Sequence, residues 1–223
     1  MKIGIIGSGV VGQTLGKAWV GLGHDVALGT RDPGKIDEKK MMGATLREWR
    51  AQTENRGKVV TFQEAAAHGD LLVNATSGTV SIEALRLAGA DKVGGKVLMD
   101  IANELDHSKG MPPRALASQD RCLAEKIQAE LPNLKVVKTL NTISALVMVN
   151  PKGVAGGDHT VFVSGNDAGA KTRVTELLKG LGWTDVLDLG DLSTARGPEM
   201  YMAMWIRLWG ATGTPNLNIK VQR

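Results

Sequence analysis

Apolar and polar positions along the 223-residue chain alternate between two periods. Short apolar runs at 3–6, 58–62, 70–75, 96–101 and 135–140, with a more mixed one at 24–30, have the length of buried strands. Helical spacing appears between them. Residues 13–20 place Leu15, Ala18 and Trp19 on one face, and further helices are predicted over 36–55 (long and polar), 63–68, 81–88 and 119–131. Alternation in this rhythm predicts an α/β fold: a Rossmann-type doubly wound, mostly parallel sheet with a small C-terminal α/β extension. A Gly-rich stretch after Asn150 marks the boundary. Residues 1–150 are read as the nucleotide-binding domain. Residues 151–223 are read as a small C-terminal domain, with strands over 160–164 and 185–188 and helices over 167–181 and 197–209. The connection 103–114 is long for its position, and is either a lid or a plain surface loop.

Composition narrows the class of protein. At 43% hydrophobic residues the chain can bury the core of one α/β domain, and no apolar run reaches the length of a membrane span. Four glycines from Gly4 to Gly12 make the N-terminus a core strand rather than a signal peptide. Cys122 is the sole cysteine, so no internal disulfide is possible and a reducing cytoplasm is the expected compartment. A pI near 9.2 without a basic run or interleaved aromatics argues against a nucleic-acid partner. The formal charge of +4 lies entirely in residues 1–58, which hold 10 Lys and Arg against 6 Asp and Glu; the remainder holds 17 of each.

The first strand runs into Gly7-Ser8-Gly9-Val10-Val11-Gly12 and then into a helical pattern, the strand-turn-helix context in which GxGxxG binds a dinucleotide. Gly7 permits the turn, Gly9 admits the pyrophosphate close to the backbone, and Gly12 lets helix and strand approach. The diphosphate then sits on the helix N-terminus. At the end of the second strand, where an NAD-binding unit carries an acidic residue against the ribose 2′-OH, stand Thr30 and Arg31. A hydroxyl and a guanidinium donate to a 2′-phosphate that a carboxylate would repel, so NADP(H) is the expected cofactor, with Lys35 as a second cation. Asp32 is the competing ribose ligand if the register slips, but Arg31-Asp32-Pro33-Gly34 reads as a turn in which Asp32 acts locally.

Three strand ends are small and polar: Ala75-Thr76-Ser77, Ala102-Asn103, and Asn141-Thr142-Ile143. Each taken singly is a helix cap as readily as a ligand; together they outline a crevice at the carboxyl edge of the sheet, where nicotinamide and second substrate belong. No nucleophile-base pair, metal-ligand spacing or paired carboxylate is present in the sequence, and no catalytic residue or metal site is assigned. Hydride transfer needs chiefly alignment of two rings. Trp205 and Trp209, in a Met- and Trp-rich helix, are either packing or a surface for a flat ring, which would then lie between them and Asn141 and Ile143.

These residues, with Asp100-Ile101-Ala102-Asn103, Val137-Lys138-Thr139-Leu140-Asn141-Thr142, Gly165-Asn166-Asp167, the segment 188–196 and Asn218-Ile219-Lys220, resemble one family along nearly the whole chain. It is that of the NADPH-dependent oxidoreductases related to reductases of the deazaflavin coenzyme F420. The NADPH-binding domains of membrane metalloreductases are also similar. The resemblance implies 2′-phosphate contacts at Thr30, Arg31 and Lys35, nicotinamide-side contacts at Thr76, Ser77, Asn141 and Thr142, hydride exchange with the deazaflavin ring, closure of the substrate crevice by the domain 151–223, and a homodimer. Asn141 stands where archaeal members carry what looks like a histidine. The alternatives are reduction of a flavin, quinone or metal chelate, or a non-catalytic NADPH-sensing module.

Overall fold

The computed structural model describes residues 1–38 and 43–223. The apolar first run forms β1 (Lys2–Ile6), and α1 (Val10–Gly21) follows across the glycine turn. Next come β2 (Asp25–Thr30), α2 (Leu46–Gln52), β3 (Lys58–Thr61), α3 (Phe62–His68), β4 (Leu71–Asn74), α4 (Ser81–Leu87), α5 (Ala90–Val93) and β5 (Val97–Asp100). A two-residue hairpin, β6 (Leu105–Asp106) with β7 (Arg114–Ala115), occupies the candidate lid. Then follow α6 (Leu123–Glu130), β8 (Lys135–Thr139), α7 (Ala145–Val149), β9 (Val161–Gly165), α8 (Ala168–Gly180), β10 (Val186–Asp188) and α9 (Arg196–Thr212).

The main sheet has the order β3-β2-β1-β4-β5-β8-β9-β10. Every pair is parallel except β8 with β9. The first six strands therefore follow doubly wound order, with the switch point between β1 and β4. Past residue 150 the chain continues into this same sheet, through the antiparallel β9. One face packs Ile3, Ile5, Val73, Met99 and Val137 with residues of α1, α2, α7 and α8; the other packs Ile6, Leu72, Leu98 and Val136 with residues of α3, α4 and α6.

Helix starts follow local chemistry. Thr45 with Glu48 and Thr61 with Glu64 form reciprocal capping boxes at α2 and α3, and the Asp167 side chain caps α8. The expected helix over 36–55 is corrected by that signal: α2 begins only after Thr45, while 36–38 lie outside any helix and 39–42 outside the described residues. Gly43, with φ of 95°, adopts a conformation that the helix would exclude. The α6 helix likewise starts at Leu123 rather than 119.

Candidate active site

At the first turn, Gly7 has φ of 117°, and a Cβ there would stand 2.6 Å from the Ala75 carbonyl. A Cβ on Gly12 would lie 2.1 Å from the Gly7 oxygen. Gly9 differs from both, since a Cβ built on it meets nothing within 4 Å. The turn thus requires Gly7 and Gly12 for the fold and leaves open space at Gly9, directly before α1, whose N-terminus has no side-chain cap. Val10 and Val11 form its first turn, half-buried, beside the buried Ser8. Behind them Gln13, unremarked in the sequence, donates from Nε2 to the carbonyls of Ser8 (3.1 Å) and Ala44 (2.9 Å) and accepts from Ala44 N (3.0 Å). It ties the loop before α2 to the glycine turn.

Neighbouring β2 is pinned here by a bond from Gly7 N to Gly29 O (3.2 Å) and ends at Thr30. Arg31 is exposed and makes no ion pair or hydrogen bond among the described residues. Asp32 Oδ1 accepts from Gly34 N at 2.9 Å, so its carboxylate serves the turn. Lys35 Nζ lies 3.8 Å from Glu38. Two exposed cations therefore flank the end of β2, with the nearest carboxylate engaged locally.

Beneath the carboxyl edge of the sheet runs a row of buried polar residues. Asn74, Asp100 and Lys138 are register partners across β4, β5 and β8, and Ser164 of β9 faces Lys138. Asn74 Nδ2 donates to Asp100 Oδ1 (2.8 Å) and to Ser81 Oγ (3.0 Å), while its Oδ1 accepts from Thr76 Oγ1 (2.7 Å). Lys138, 1% exposed, donates to Asp100 Oδ2 (2.9 Å), Glu199 Oε1 (2.9 Å) and the Ala102 carbonyl. Glu199, in the first turn of α9, also accepts from the backbone N–H groups of Leu123 (2.8 Å) and Ala124 (3.1 Å) at the start of α6. Burial opposes the charge on Lys138, yet Asp100 and Glu199 hold its pKa above the ordinary lysine value. With all three ammonium protons engaged and that pKa, Lys138 is no proton donor to a substrate. The sequence did carry a signal for this triad: a lysine directly after the apolar Val136-Val137 of β8, and an aspartate closing the apolar β5.

Above the row, Asn103 Nδ2 donates to the Asn141 carbonyl (2.7 Å), and Asn141 Nδ2 donates to Asn103 Oδ1 (3.0 Å) and to the Pro198 carbonyl (3.0 Å). The structure therefore brings Thr76, Asn103, Asn141 and the start of α9 into one hydrogen-bonded edge, with Ala75 half-buried, Ser77 exposed and Thr142 buried beside them. It separates Ile143, which packs in the core with Val147, from Trp205, which packs with Met202, Ile206, Leu105 and Ala115. Trp209 is half-buried, its ring 5.5 Å from that of Trp205. The hairpin in the 103–114 connection thus lies against α9.

Other groups are accounted for structurally. Burial pushes the Cys122 thiol up to about 12, which leaves it unreactive as a nucleophile. His159 is buried between the Pro151 carbonyl and Asn218, edge-on to Trp183, and His68 contacts the Asp25 carbonyl. No cluster that could hold a metal ion occurs among the described residues, and none of their helices is long and apolar enough to cross a membrane. A groove of about 520 Å³ between α1, α2 and α7, lined in part by Gln13, Trp49 and Leu146, lies on the opposite side of the sheet from the polar row.

Residues 2–104 match the family model described as NADP oxidoreductase, coenzyme F420-dependent. A crystal structure of a candidate F420-dependent NADP reductase from Arthrobacter sp. FB24 is 50% identical over the whole of both chains, with a TM-score of 0.94. The hypothetical protein SMa0349 from Sinorhizobium meliloti is 26% identical over 87% of each chain, with a TM-score of 0.62. Among curated proteins, rat metalloreductase STEAP3 is 30% identical over 97% of this chain, which spans 38% of that relative's length.

Proposed function

This chain belongs to the coenzyme F420-dependent NADP oxidoreductases, and we propose that it transfers a hydride between NADPH, bound along the glycine turn and the end of β2, and a flat ring acceptor, the deazaflavin coenzyme F420. The single observation that carries the cofactor site is the open space at Gly9 before the uncapped start of α1, with Thr30 and Arg31 at the adjoining strand end. The N–H groups of Val10, Val11 and Gly12 would hold the diphosphate, and Thr30, Arg31 and Lys35 the 2′-phosphate. Thr76, Ser77, Asn103, Asn141 and Thr142 would line the nicotinamide side.

The bound cofactor supplies the hydride; the residues of this chain bind it, exclude water and align the acceptor. Residues 151–223 would complete the crevice, with Trp205 and Trp209 on the acceptor side, in a homodimer acting on a small molecule in the cytoplasm. Titration should show NADPH binding at least about tenfold more tightly than NADH, one charge-assisted contact being worth that much. Steady-state NADPH oxidation with F420 and with FMN then tests the acceptor. F420 turnover supports the reading. Turnover with FMN alone makes the protein a flavin reductase, and none with either favours the sensing module.

A further inference from the structure

The buried row does more than fill the sheet edge. Its three charged members sit on three different elements, and Glu199 joins α9 both to β8 and to the start of α6, a contact that Arg196 of α9 reinforces through Glu125. Pro198, the preceding residue, is held by Asn141, which in turn is paired with Asn103. The first turn of α9 is therefore fixed to the ends of β5 and β8, at the edge where the crevice lies, by bonds that all converge on two consecutive residues. None of these bonds reaches the glycine turn or the end of β2. We propose that Glu199 is a positioning residue: through Lys138 and the adjoining Pro198–Asn141–Asn103 clasp it sets α9 against the strand ends and so aligns the ring acceptor with the nicotinamide.

This rests on the ring-acceptor reading above. The chemistry of Glu199 suits such a role. Its carboxylate accepts three bonds from two sides, one from an ammonium and two from backbone N–H groups, so a displacement of the carboxylate must move α9, α6 or Lys138. Glu199→Gln turns one of those acceptors into a donor facing donors. Glu199→Asp keeps the charge but withdraws it by one methylene, and is the variant to read if the glutamine form does not fold. In both, NADPH titration and thermal melting monitor binding and folding.

The experiment is steady-state oxidation of NADPH with F420 and FMN, together with the isotope effect from NADPH deuterated at C4 on the transferred side. For each folded variant, the NADPH Kd is expected within about threefold of the parent. The kcat should fall about tenfold or more as alignment is lost, and the isotope effect should rise as hydride transfer limits the rate. A lower melting temperature with unchanged kcat and isotope effect, or an equal loss of NADPH affinity, overturns the assignment, because Glu199 would then only hold the fold. If the parent protein itself oxidises NADPH with neither acceptor, the ring-acceptor reading fails and this proposal with it. If the parent turns over and the variants match it, Glu199 alone is excluded.

Discussion

At the scale of single residues the glycine turn separates space from strain. Gly7 and Gly12 are needed by the backbone, whereas Gly9 has room for a side chain. Gly9→Val is therefore expected to leave the fold intact, since a Cβ there meets nothing within 4 Å, and to abolish NADPH binding by filling the diphosphate position. Circular dichroism and nucleotide titration check the two halves of that statement separately, and a variant that binds NADPH normally would reduce the motif to a packing turn. Arg31→Ala should weaken NADPH by about 1.5 to 3 kcal/mol, the scale of a charge-assisted contact, and leave NADH unchanged. Equal loss for both nucleotides would remove the 2′-phosphate from its role. Asp32 shows why the turn could be read from sequence: its partner, Gly34, is two residues away.

Among elements, legibility declines with sequence separation. The strands β1, β4, β5 and β8 and the helix α1 follow from local periodicity, and Thr61 with Glu64 spells out the start of α3. The buried triad does not, because Asp100, Lys138 and Glu199 meet only after two strands and a helix have assembled; Lys138 and Asp100 show locally as charges at the ends of apolar runs, but nothing near Glu199 in sequence points to them. The expected helix over 36–55 failed for a related reason. Polar residues there carried no 3.6 periodicity strong enough to outweigh Gly43 and the capping box at Thr45. Removing one member of a buried ionic set strands the others, so Lys138→Met should lower stability by about 3 to 5 kcal/mol by leaving Asp100 and Glu199 unpaired. Denaturant melts measure this. A loss below about 1 kcal/mol would mean that water reaches the carboxylates.

Taken as a whole, the molecule is pinned in two places by carboxylates of depressed pKa, at the C-terminal segment through Asp185 and at the α6–α9 contact through Glu125. Hydrogen bonds from Thr160, Arg223 and Lys220 hold Asp185 at about 2, and the paired guanidinium of Arg196 holds Glu125 at about 2. A carboxylate with a depressed folded pKa contributes stability that is complete above its unfolded value near 4 and is lost as pH falls through 2. Each should account for about 1 to 2 kcal/mol of that loss after solvent screening of its partly exposed partners. Asp185→Asn should accordingly flatten the stability profile between pH 4 and 2 and speed hydrogen exchange at Thr160 and Val221, whose amides donate to the Ile219 carbonyl and to Thr160 Oγ1. An unchanged acid profile would dismiss the pin at Asp185. Arg31, exposed and unpaired among the described residues, has a different consequence, for descent rather than for stability. A side chain that no other described residue leans on can be exchanged freely, so a coenzyme preference carried by Arg31, as proposed above, would drift in this lineage by single substitutions. The edge proposed for the acceptor, welded through Asp100, Lys138 and Glu199, can change only when several residues change together, and should vary far less among descendants that fold.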